Sequence, residues 1–326
     1  MAGKNDSANP ARDPYMQKLL SLVIPAHNEA NGIQHALAVI KEVLSACEMD
    51  WEIIVVDDGS QDGTFDQLKG LAQNDKRLKG IRFSRNFGKE AAILAGLRAA
   101  KGDAVVTIDA DLQHPPDLIP LMLDKWRHGA KVVNAVKRSR ENDGIFARTR
   151  AKIFNIVLSK LGGIDLNNSS DFKLLDRIVV DTIVKELPER MRFYRGLSDW
   201  VGYVHASLPF DVEERAAGEG KWTSWRLIEL ATTAIVSFTS APLRIVTILG
   251  FITLIFGFLV AFEALIGWAR GIAVSGFMTL IITLLIIGSF IMISLGVLGE
   301  YIAKIYEEIK QRPPYLVEEK ISIDED

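Results

Sequence analysis

The sequence predicts an α/β domain with a Rossmann-like, mainly parallel sheet covered by helices on both faces, followed by a helical hairpin in the membrane. Two observations predict this architecture. Short apolar runs alternate with helical patterns from residue 19 to about residue 212, the order that produces parallel sheets. Residues 245–262 and 271–299 then carry no charged side chain, and a membrane-spanning helix needs about 20 predominantly apolar residues.

The predicted elements follow one another in the order strand, helix, strand. Each strand is a short apolar run, and each helix places its apolar residues three or four positions apart. The strands are predicted at residues 20–24, 51–56, 80–83, 104–108 and 131–136, and the helices at 32–46, 64–73 and 89–100. Together with their connections they form a predicted domain over residues 18–221.

The composition limits the classes of partner. The chain has 326 residues and a formal net charge of −3, so it has no excess of basic residues and no nucleic-acid partner is expected. Its single cysteine, Cys47, excludes an intrachain disulfide framework. Residues 1–17 are polar, contain two prolines and lack an apolar core, so they are expected to form a disordered lead rather than a signal peptide.

The membrane part is predicted over residues 242–304, with spans at about 243–268 and 273–299. The alternative, a helix pair buried in a soluble core, is disfavoured because no further soluble domain remains to cover it. Residues 222–241 contain Trp222 and Trp225 beside Arg226, which favours amphipathic helices at the bilayer surface over an ordinary core helix.

Basic residues predict the orientation of the hairpin. They flank its outer ends, whereas the connecting loop holds only Arg270. The positive-inside rule therefore places the α/β domain and both termini in the cytoplasm. Residues 305–326 are expected to be a cytoplasmic tail, which is acidic and loose after Pro313 and Pro314.

Polar clusters follow the predicted strands. Asp109 and Asp111 come directly after the fourth strand, and paired carboxylates at the carboxyl end of a strand suit Mg²⁺ or Mn²⁺ completed by phosphate oxygens of a nucleotide. This pattern indicates an enzyme that acts on a phosphorylated donor. Further clusters are residues 25–29 after the first strand, residues 57–60 after the second, and Arg138 and Arg140 after the fifth.

Six motifs carry a resemblance to a known family: VIPAHNE at 23–29, VVDDGSQDGT at 55–64, RNFGKEAAILAGL at 85–97, DADLQHPP at 109–116, DFKLLDR at 171–177 and RGLSDWVGY at 195–203. With them the chain resembles the inverting GT-A glycosyltransferases of family 2 over residues 18–312. The most similar branch is that of the polyprenyl-phosphate glycosyltransferases, which includes dolichol-phosphate mannose synthase and the bacterial GtrB-type glucosyl and ArnC-type aminoarabinose transferases.

The resemblance implies transfer of a sugar from a nucleotide-sugar donor to undecaprenyl or another polyprenyl phosphate at the cytoplasmic face of the inner membrane. Inversion at the anomeric carbon would give a β-linked lipid-phosphate sugar. UDP-glucose is the first candidate donor, and GDP-mannose, UDP-N-acetylhexosamine and UDP-aminoarabinose stay open. The bilayer is an expected partner, and a homo-oligomer stays open.

The resemblance also assigns residues. It implies an Mg²⁺ or Mn²⁺ cofactor held by Asp109, Asp111 and Gln113. The catalytic group would be Asp111, Asp171, Arg138 and Arg140, with Asp171 either positioning a substrate or acting as a base. A structural cap stays open for Asp171, and a solvated surface run stays open for Arg138 and Arg140. Turn or capping roles remain alternatives for Lys89 and for one of the two residues Asp57 and Asp58. The implied nucleotide-sugar contacts are Pro25, Ala26, Asn28, Glu29, Asp57, Asp58, Lys89, Asp109, Ala110 and Asp111.

Two rival functions are weighed against this one. A processive polysaccharide synthase would share the cytoplasmic domain, but it would need a Q-x-x-R-W acceptor motif and more spans to enclose a channel. A non-catalytic membrane scaffold with a nucleotide pocket would not need the intact Asp109, Asp111, Gln113 and Arg138. Dinucleotide-binding and P-loop enzymes are disfavoured, because neither glycine motif occurs.

Overall fold

The computed structural model describes residues 18–137, 170–187, 189, 193–210, 241–271 and 276–323. The chain divides into two compact units. The first comprises residues 1–155, 164–220 and 313–326, and the second comprises residues 156–163 and 221–312. The described residues of each unit are considered separately.

The described part of the first unit is built on one mixed, mainly parallel sheet. Its strands are β1 (Leu19–Ala26), β2 (Asp50–Asp57), β3 (Leu78–Phe83), β4 (Ala104–Thr107), β5 (Val132–Lys137), β6 (Lys173–Asp176), β7 (His205–Phe210) and β8 (Val317–Ile321). Their order across the sheet is β7-β5-β6-β4-β1-β2-β3-β8. Strand β1 runs parallel to both β2 and β4, whereas β6 is antiparallel to β4 and β5.

Helices cover both faces of this sheet. They are α1 (Ile33–Ser45), α2 (Thr64–Asn74), α3 (Lys89–Ala99), α4 (Leu118–Arg127), α5 (Arg177–Asp181), which continues as a π-helical turn (Thr182–Glu186), and α6 (Tyr194–Trp200). Leu20 and Leu22 of β1 belong to the core shared with α1, α2 and α4. Val23 points the other way, toward Gly96 of α3. The predicted α/β fold class is confirmed.

The segment after the hairpin forms the edge of the sheet. Strand β8 pairs antiparallel with β3, so the expectation of a loose tail is wrong for residues 317–321. Two contacts explain why it docks. The ring of Tyr315 stacks on that of Phe83 with a centroid distance of 4.8 Å. Gly80 leaves room for Ile321, since a Cβ there would lie 2.9 Å from Ile321 Cδ1.

The second unit contains two long apolar helices, α7 (Ala241–Ala269) and α8 (Phe277–Ile309). Pro242–Gly267 and Leu280–Ile309 are long and apolar enough to cross a membrane, with a hydropathy of 2.7 in each and none of the tested window buried. Helix α8 continues past the predicted end of its span at residue 299 to Ile309. Residues 222–240 of the predicted interfacial segment lie outside the described residues.

Candidate functional site

Three of the predicted polar clusters meet at the carboxyl ends of neighbouring parallel strands. Strand β1 lies between β2 and β4, and all three run parallel, so their carboxyl ends are neighbours. The backbone N–H of Asp58 donates to the carbonyl of Ala26 (2.9 Å), which ties the end of β2 to the end of β1. Ligands of open α/β sheets bind at the carboxyl ends of the strands.

Asn28 is held in place by the loop after β2. Its φ of 58° lies in the left-handed region, which asparagine tolerates better than most residues. Its backbone N–H donates to Ser60 Oγ (2.8 Å), and its side-chain oxygen accepts from the backbone N–H of Gln61 (3.0 Å). The next residue, Glu29, donates its backbone N–H to Thr64 Oγ1 (3.0 Å).

Asp57 and Asp58 are both buried, and their carboxylates accept hydrogen bonds from backbone N–H groups of loops. The two oxygens of Asp58 accept backbone N–H groups of Phe87 (2.6 Å) and Gly88 (2.9 Å). Asp57 Oδ1 accepts from the backbone N–H of Ser60 (3.1 Å), and burial raises the pKa of the Asp57 carboxyl. These contacts are of the kind expected for the turn role that the sequence left open for one of the two residues.

A charged cluster surrounds Asp171, the residue that leads into β6. Arg195, in the first turn of α6, donates to both oxygens of Asp171 (2.7 and 2.8 Å). Lys89, the first residue of α3, places its Nζ 2.8 Å from Asp171 Oδ2 and 2.6 Å from Asp109 Oδ1. Lys89 therefore bridges two carboxylates that are far apart in sequence.

The charges in this cluster stabilise one another. Burial alone would raise the pKa of Asp171, but Arg195 and Lys89 outweigh it and hold that pKa well below its usual range. Burial would likewise lower the pKa of Lys89, but Asp171 and Asp109 raise it above its usual value. Asp171, Lys89 and Arg195 are consequently all charged at neutral pH.

Five further polar residues pack beside this cluster, and none of them was predicted from the sequence to have a role. Glu90 accepts the backbone N–H of Tyr194 (2.8 Å), and burial, aided by the charge of Asp171, raises the pKa of Glu90 to about 7. Thr107 Oγ1 donates to the carbonyl of Asp171 (2.5 Å) and lies 3.0 Å from Tyr194 Oη. Lys173 contacts Ser198 Oγ, and burial lowers its pKa to about 8.

These residues and Arg195 stand inside or beside the quoted motifs. The sequence gives no sign of their pairing, because Glu90 and Tyr194 are separated by 104 positions. A buried basic residue in an otherwise apolar strand, such as Lys173, is the one local signal that could have pointed to this network.

The predicted metal ligands would supply two carboxylates to a cation that is bound together with a phosphorylated ligand. Asp111 is exposed, and its Oδ1 accepts the backbone N–H of Gln113 (3.1 Å). Burial raises the pKa of Glu29, and the charges of Asp111, Asp62 and Asp109 add to this effect. Among the described residues, no group of three or more His, Cys, Asp or Glu side chains could hold a metal ion. Mg²⁺ commonly takes one or two carboxylates plus substrate phosphates, so Asp109 and Asp111 fit that arrangement.

The remaining predicted residues differ in how exposed they are to a ligand. The side chains of Ala26 and Ala110 are buried, so only their backbone atoms could meet a ligand. Pro25, in β1, is partly exposed. Arg138 and Arg140 lie outside the described residues.

A cleft of about 530 Å³ opens beside these loops. Its lining includes His27, Asn28, Ser60, Arg82, Arg85 and, from the segment after the hairpin, Glu318.

Comparison with known proteins places these features in context. Residues 21–186 match the model of a family described as glycosyl transferase family 2. An uncharacterized glycosyltransferase of Synechocystis sp. is 44% identical over 300 residues, which cover 91% of this chain and 94% of the relative. A prophage bactoprenol glucosyl transferase homolog of Escherichia coli is 38% identical over 303 residues, 91% of this chain and 98% of the relative.

Solved structures also resemble the chain. One is glucosyl-3-phosphoglycerate synthase of Mycobacterium tuberculosis in complex with Mn²⁺, UDP-glucose and phosphoglyceric acid. It is 21% identical, with a TM-score of 0.45, and the match covers 68% of this chain and 78% of that one.

Proposed function

Because the chain belongs to glycosyl transferase family 2, we propose that it transfers a sugar from a nucleotide-diphosphate donor to a polyprenyl phosphate, with UDP-glucose as the first donor to test. The observation that carries this proposal is the cluster in which Lys89 bridges Asp109 and Asp171 and Arg195 binds Asp171 with two hydrogen bonds. The acceptor class is supported by relatives named bactoprenol glucosyl transferase, 38% identical over more than nine-tenths of each chain.

The donor would lie across the carboxyl ends of the parallel strands. Its nucleoside would occupy the cleft beside Asn28, and its diphosphate would approach Asp109 and Asp111. A divalent cation, Mg²⁺ or Mn²⁺, held by these two carboxylates near Gln113 would offset the charge that grows on the leaving diphosphate. Lys89 lies close enough to Asp109 to move its ammonium group toward the same phosphates when they bind.

The transfer would be a single in-line displacement. An oxygen of the lipid phosphate attacks the anomeric carbon, the bond from that carbon to the diphosphate breaks on the opposite side, and an α-linked donor gives a β-linked product. A phosphate monoester has a second pKa near ~6, so the nucleophile is already mostly a dianion at pH 7 and needs no strong base. Asp171, kept ionised by Arg195 and Lys89, is therefore assigned to positioning the acceptor or a sugar hydroxyl.

The proposed location is the cytoplasmic face of the inner membrane. Strand β8, which follows the hairpin, belongs to the same sheet as β1–β7, which precede it. A hairpin of two spans would return the chain to the side from which it entered. The basic residues outside the hairpin favour the cytoplasm as that side. Anchoring in the bilayer that holds the acceptor would replace a three-dimensional search with an oriented encounter.

A donor screen tests this proposal. The full chain in detergent–lipid micelles is given undecaprenyl phosphate and, one at a time, radiolabelled UDP-glucose, UDP-N-acetylglucosamine, GDP-mannose and UDP-aminoarabinose. We expect one donor to label an organic-soluble product only when the lipid phosphate is present. Label in a polymer formed without lipid phosphate would indicate a processive synthase. Nucleotide binding without transfer of any sugar would indicate a scaffold.

A further inference from the structure

The segment after the membrane hairpin contributes directly to the cleft described above. Glu318 lines that cleft, although it follows β3 by more than 200 positions and lies outside the part of the chain that matches the family model. Its position is fixed by the pairing of β8 with β3 and by the hydrogen bond from the backbone N–H of Ser84 to the carbonyl of Leu316 (3.0 Å).

Adjacent glutamates of β8 have different partners. Successive side chains of a strand point to opposite faces of the sheet. Glu318 Oε2 lies 3.5 Å from Arg82 Nε at the cleft, and about half of its side chain is exposed. Glu319 instead pairs with Lys69 of α2 at 2.8 Å. The strand therefore presents one carboxylate to the cleft and keeps the other away from it.

Arg82 lies between Glu318 and the loop that follows β2. Its Nη2 donates to the carbonyl of Ser60 (3.3 Å), and its Nε lies 3.7 Å from the buried Asp57 Oδ2. Among the described residues, neither Arg82 Nε nor Asp57 Oδ2 has a hydrogen-bond partner, although both atoms are buried. The guanidinium group is thus held between two carboxylates, and Glu318 is the more exposed of the two.

We propose that the segment after the hairpin contributes to the nucleotide site, with Glu318 as a positioning residue that holds Arg82 at the cleft in which the nucleoside of the donor binds. The proposal rests on the function proposed above and adds a residue and a coupling to it. Because Glu318 of β8 lines the cleft, docking of β8 and nucleotide binding are coupled, and the coupling is reciprocal: if docked β8 raises nucleotide affinity, bound nucleotide stabilises docked β8 to the same extent.

The test measures UDP and GDP binding by calorimetry on the full chain in detergent micelles, together with steady-state kinetics for the donor. Glu318→Gln and Glu318→Ala are compared with Glu319→Gln, which removes a neighbouring charge from the same strand but not from the cleft. We expect both Glu318 variants to weaken nucleotide binding about 2- to 10-fold and to raise the donor KM while kcat changes little. Glu318→Asp should restore part of the affinity, and Glu319→Gln should bind nucleotide as the unsubstituted chain does.

Hydrogen exchange supplies a second readout that does not depend on a substitution. Saturating UDP should slow exchange of the β8 backbone amides in the unsubstituted chain and less so in Glu318→Gln. Equal binding by all variants, with exchange in β8 unaffected by UDP, would overturn this inference while leaving the proposed function standing. Failure of the unsubstituted chain to bind either nucleotide would overturn both.

Discussion

Lys89 is the residue on which the charge balance of the site depends, because its ammonium group separates Asp109 from Asp171. Without a cation between them, two close carboxylates repel each other. A metal or the phosphates of a donor would change the partners of Lys89. The lysine therefore serves as the resident cation of a site that we propose is completed by its substrate.

Asp111→Asn should abolish most turnover while the protein still folds. The substitution removes one of the two carboxylates proposed to hold a divalent cation, and losing several kcal/mol of transition-state stabilisation lowers kcat by about 100-fold or more. Steady-state kinetics of sugar transfer in the presence of Mg²⁺ or Mn²⁺ measure this fall in kcat. Asp117→Asn is the matched control, since Asp117 is exposed in the same loop. Activity that survives both the substitution and EDTA would reject the metal site.

Glu90→Gln should change how stability depends on pH. Burial raises the pKa of Glu90 from 4.5 to about 7, so the folded protein keeps a proton that the unfolded chain loses, and stability falls as pH rises through that window. Glutamine has no charge to bury and can still accept the N–H of Tyr194. The variant should melt roughly 3–8 °C above the unsubstituted protein at pH 8 and at the same temperature at pH 4.5. Glu42→Gln, an exposed position of α1, should show no such difference.

Arg138→Ala and Arg140→Ala test a prediction that still rests on the sequence alone, because both residues lie outside the described part of the chain. If they bind the lipid phosphate, kcat/KM for the acceptor should fall roughly 10- to 150-fold, while the dissociation constant of the donor changes little. Lysine should rescue only partly, since it lacks the planar fork of arginine. If donor binding is lost while the acceptor kinetics are unchanged, the arginines contact the diphosphate of the donor and not the lipid phosphate.

At the scale of elements, the sequence predicted β1 to β5 and α1 to α3 to within about two residues at each end, because each is an apolar run or a helical pattern bounded by turn residues. It did not predict β6, β7 or β8, or helices α4 to α6. Strand β6 is four residues long and contains a buried lysine, and β8 has three consecutive charged residues between Val317 and Ile321. Their positions depend on pairing with distant strands, which no local pattern encodes.

The same limit applies to the candidate site. Asp109, Asp111 and Asn28 could be predicted, because they directly follow apolar strands in a recognisable order. Arg195, Glu90 and Glu318 could not, because their roles come from contacts between elements that lie far apart in the sequence.

Gly96→Ala should separate α3 from β1. A Cβ at position 96 would overlap Cγ1 of Val23, which is fully buried, so the substitution should destabilise the fold by about 1–3 kcal/mol and lower turnover through Lys89 and Glu90 at the start of α3. Val23→Ala in the same chain should restore part of the melting temperature. Gly70→Ala in α2, where a Cβ would meet nothing within 4 Å, should instead stabilise the protein by about 0.4–1 kcal/mol. Equal effects of the two glycine substitutions would show that α3 is not packed as described.

At the scale of the whole molecule, the chain leaves the first unit, passes through two apolar helices and returns to the same sheet. This connectivity constrains membrane topology more strongly than the basic residues do. If α7 and α8 both span the bilayer, β8 can pair with β3 only when the segments before and after the hairpin share one side. A single span or three spans would separate β8 from its partner strand.

Single cysteines should therefore report one topology when they are introduced into a chain in which Cys47 has been replaced by serine. Glu42→Cys in α1 and Lys320→Cys in β8 occupy exposed positions before and after the hairpin, and Arg270→Cys lies just after α7 ends. With a membrane-impermeant thiol reagent, intact cells should label only the cysteine at position 270, and permeabilised cells should label all three. Labelling at both 42 and 320 but not at 270 would invert the orientation and place the site outside the cytoplasm. Labelling at only one of positions 42 and 320 would contradict the pairing of β8 with β3, because the two strands would then lie on opposite sides of the membrane.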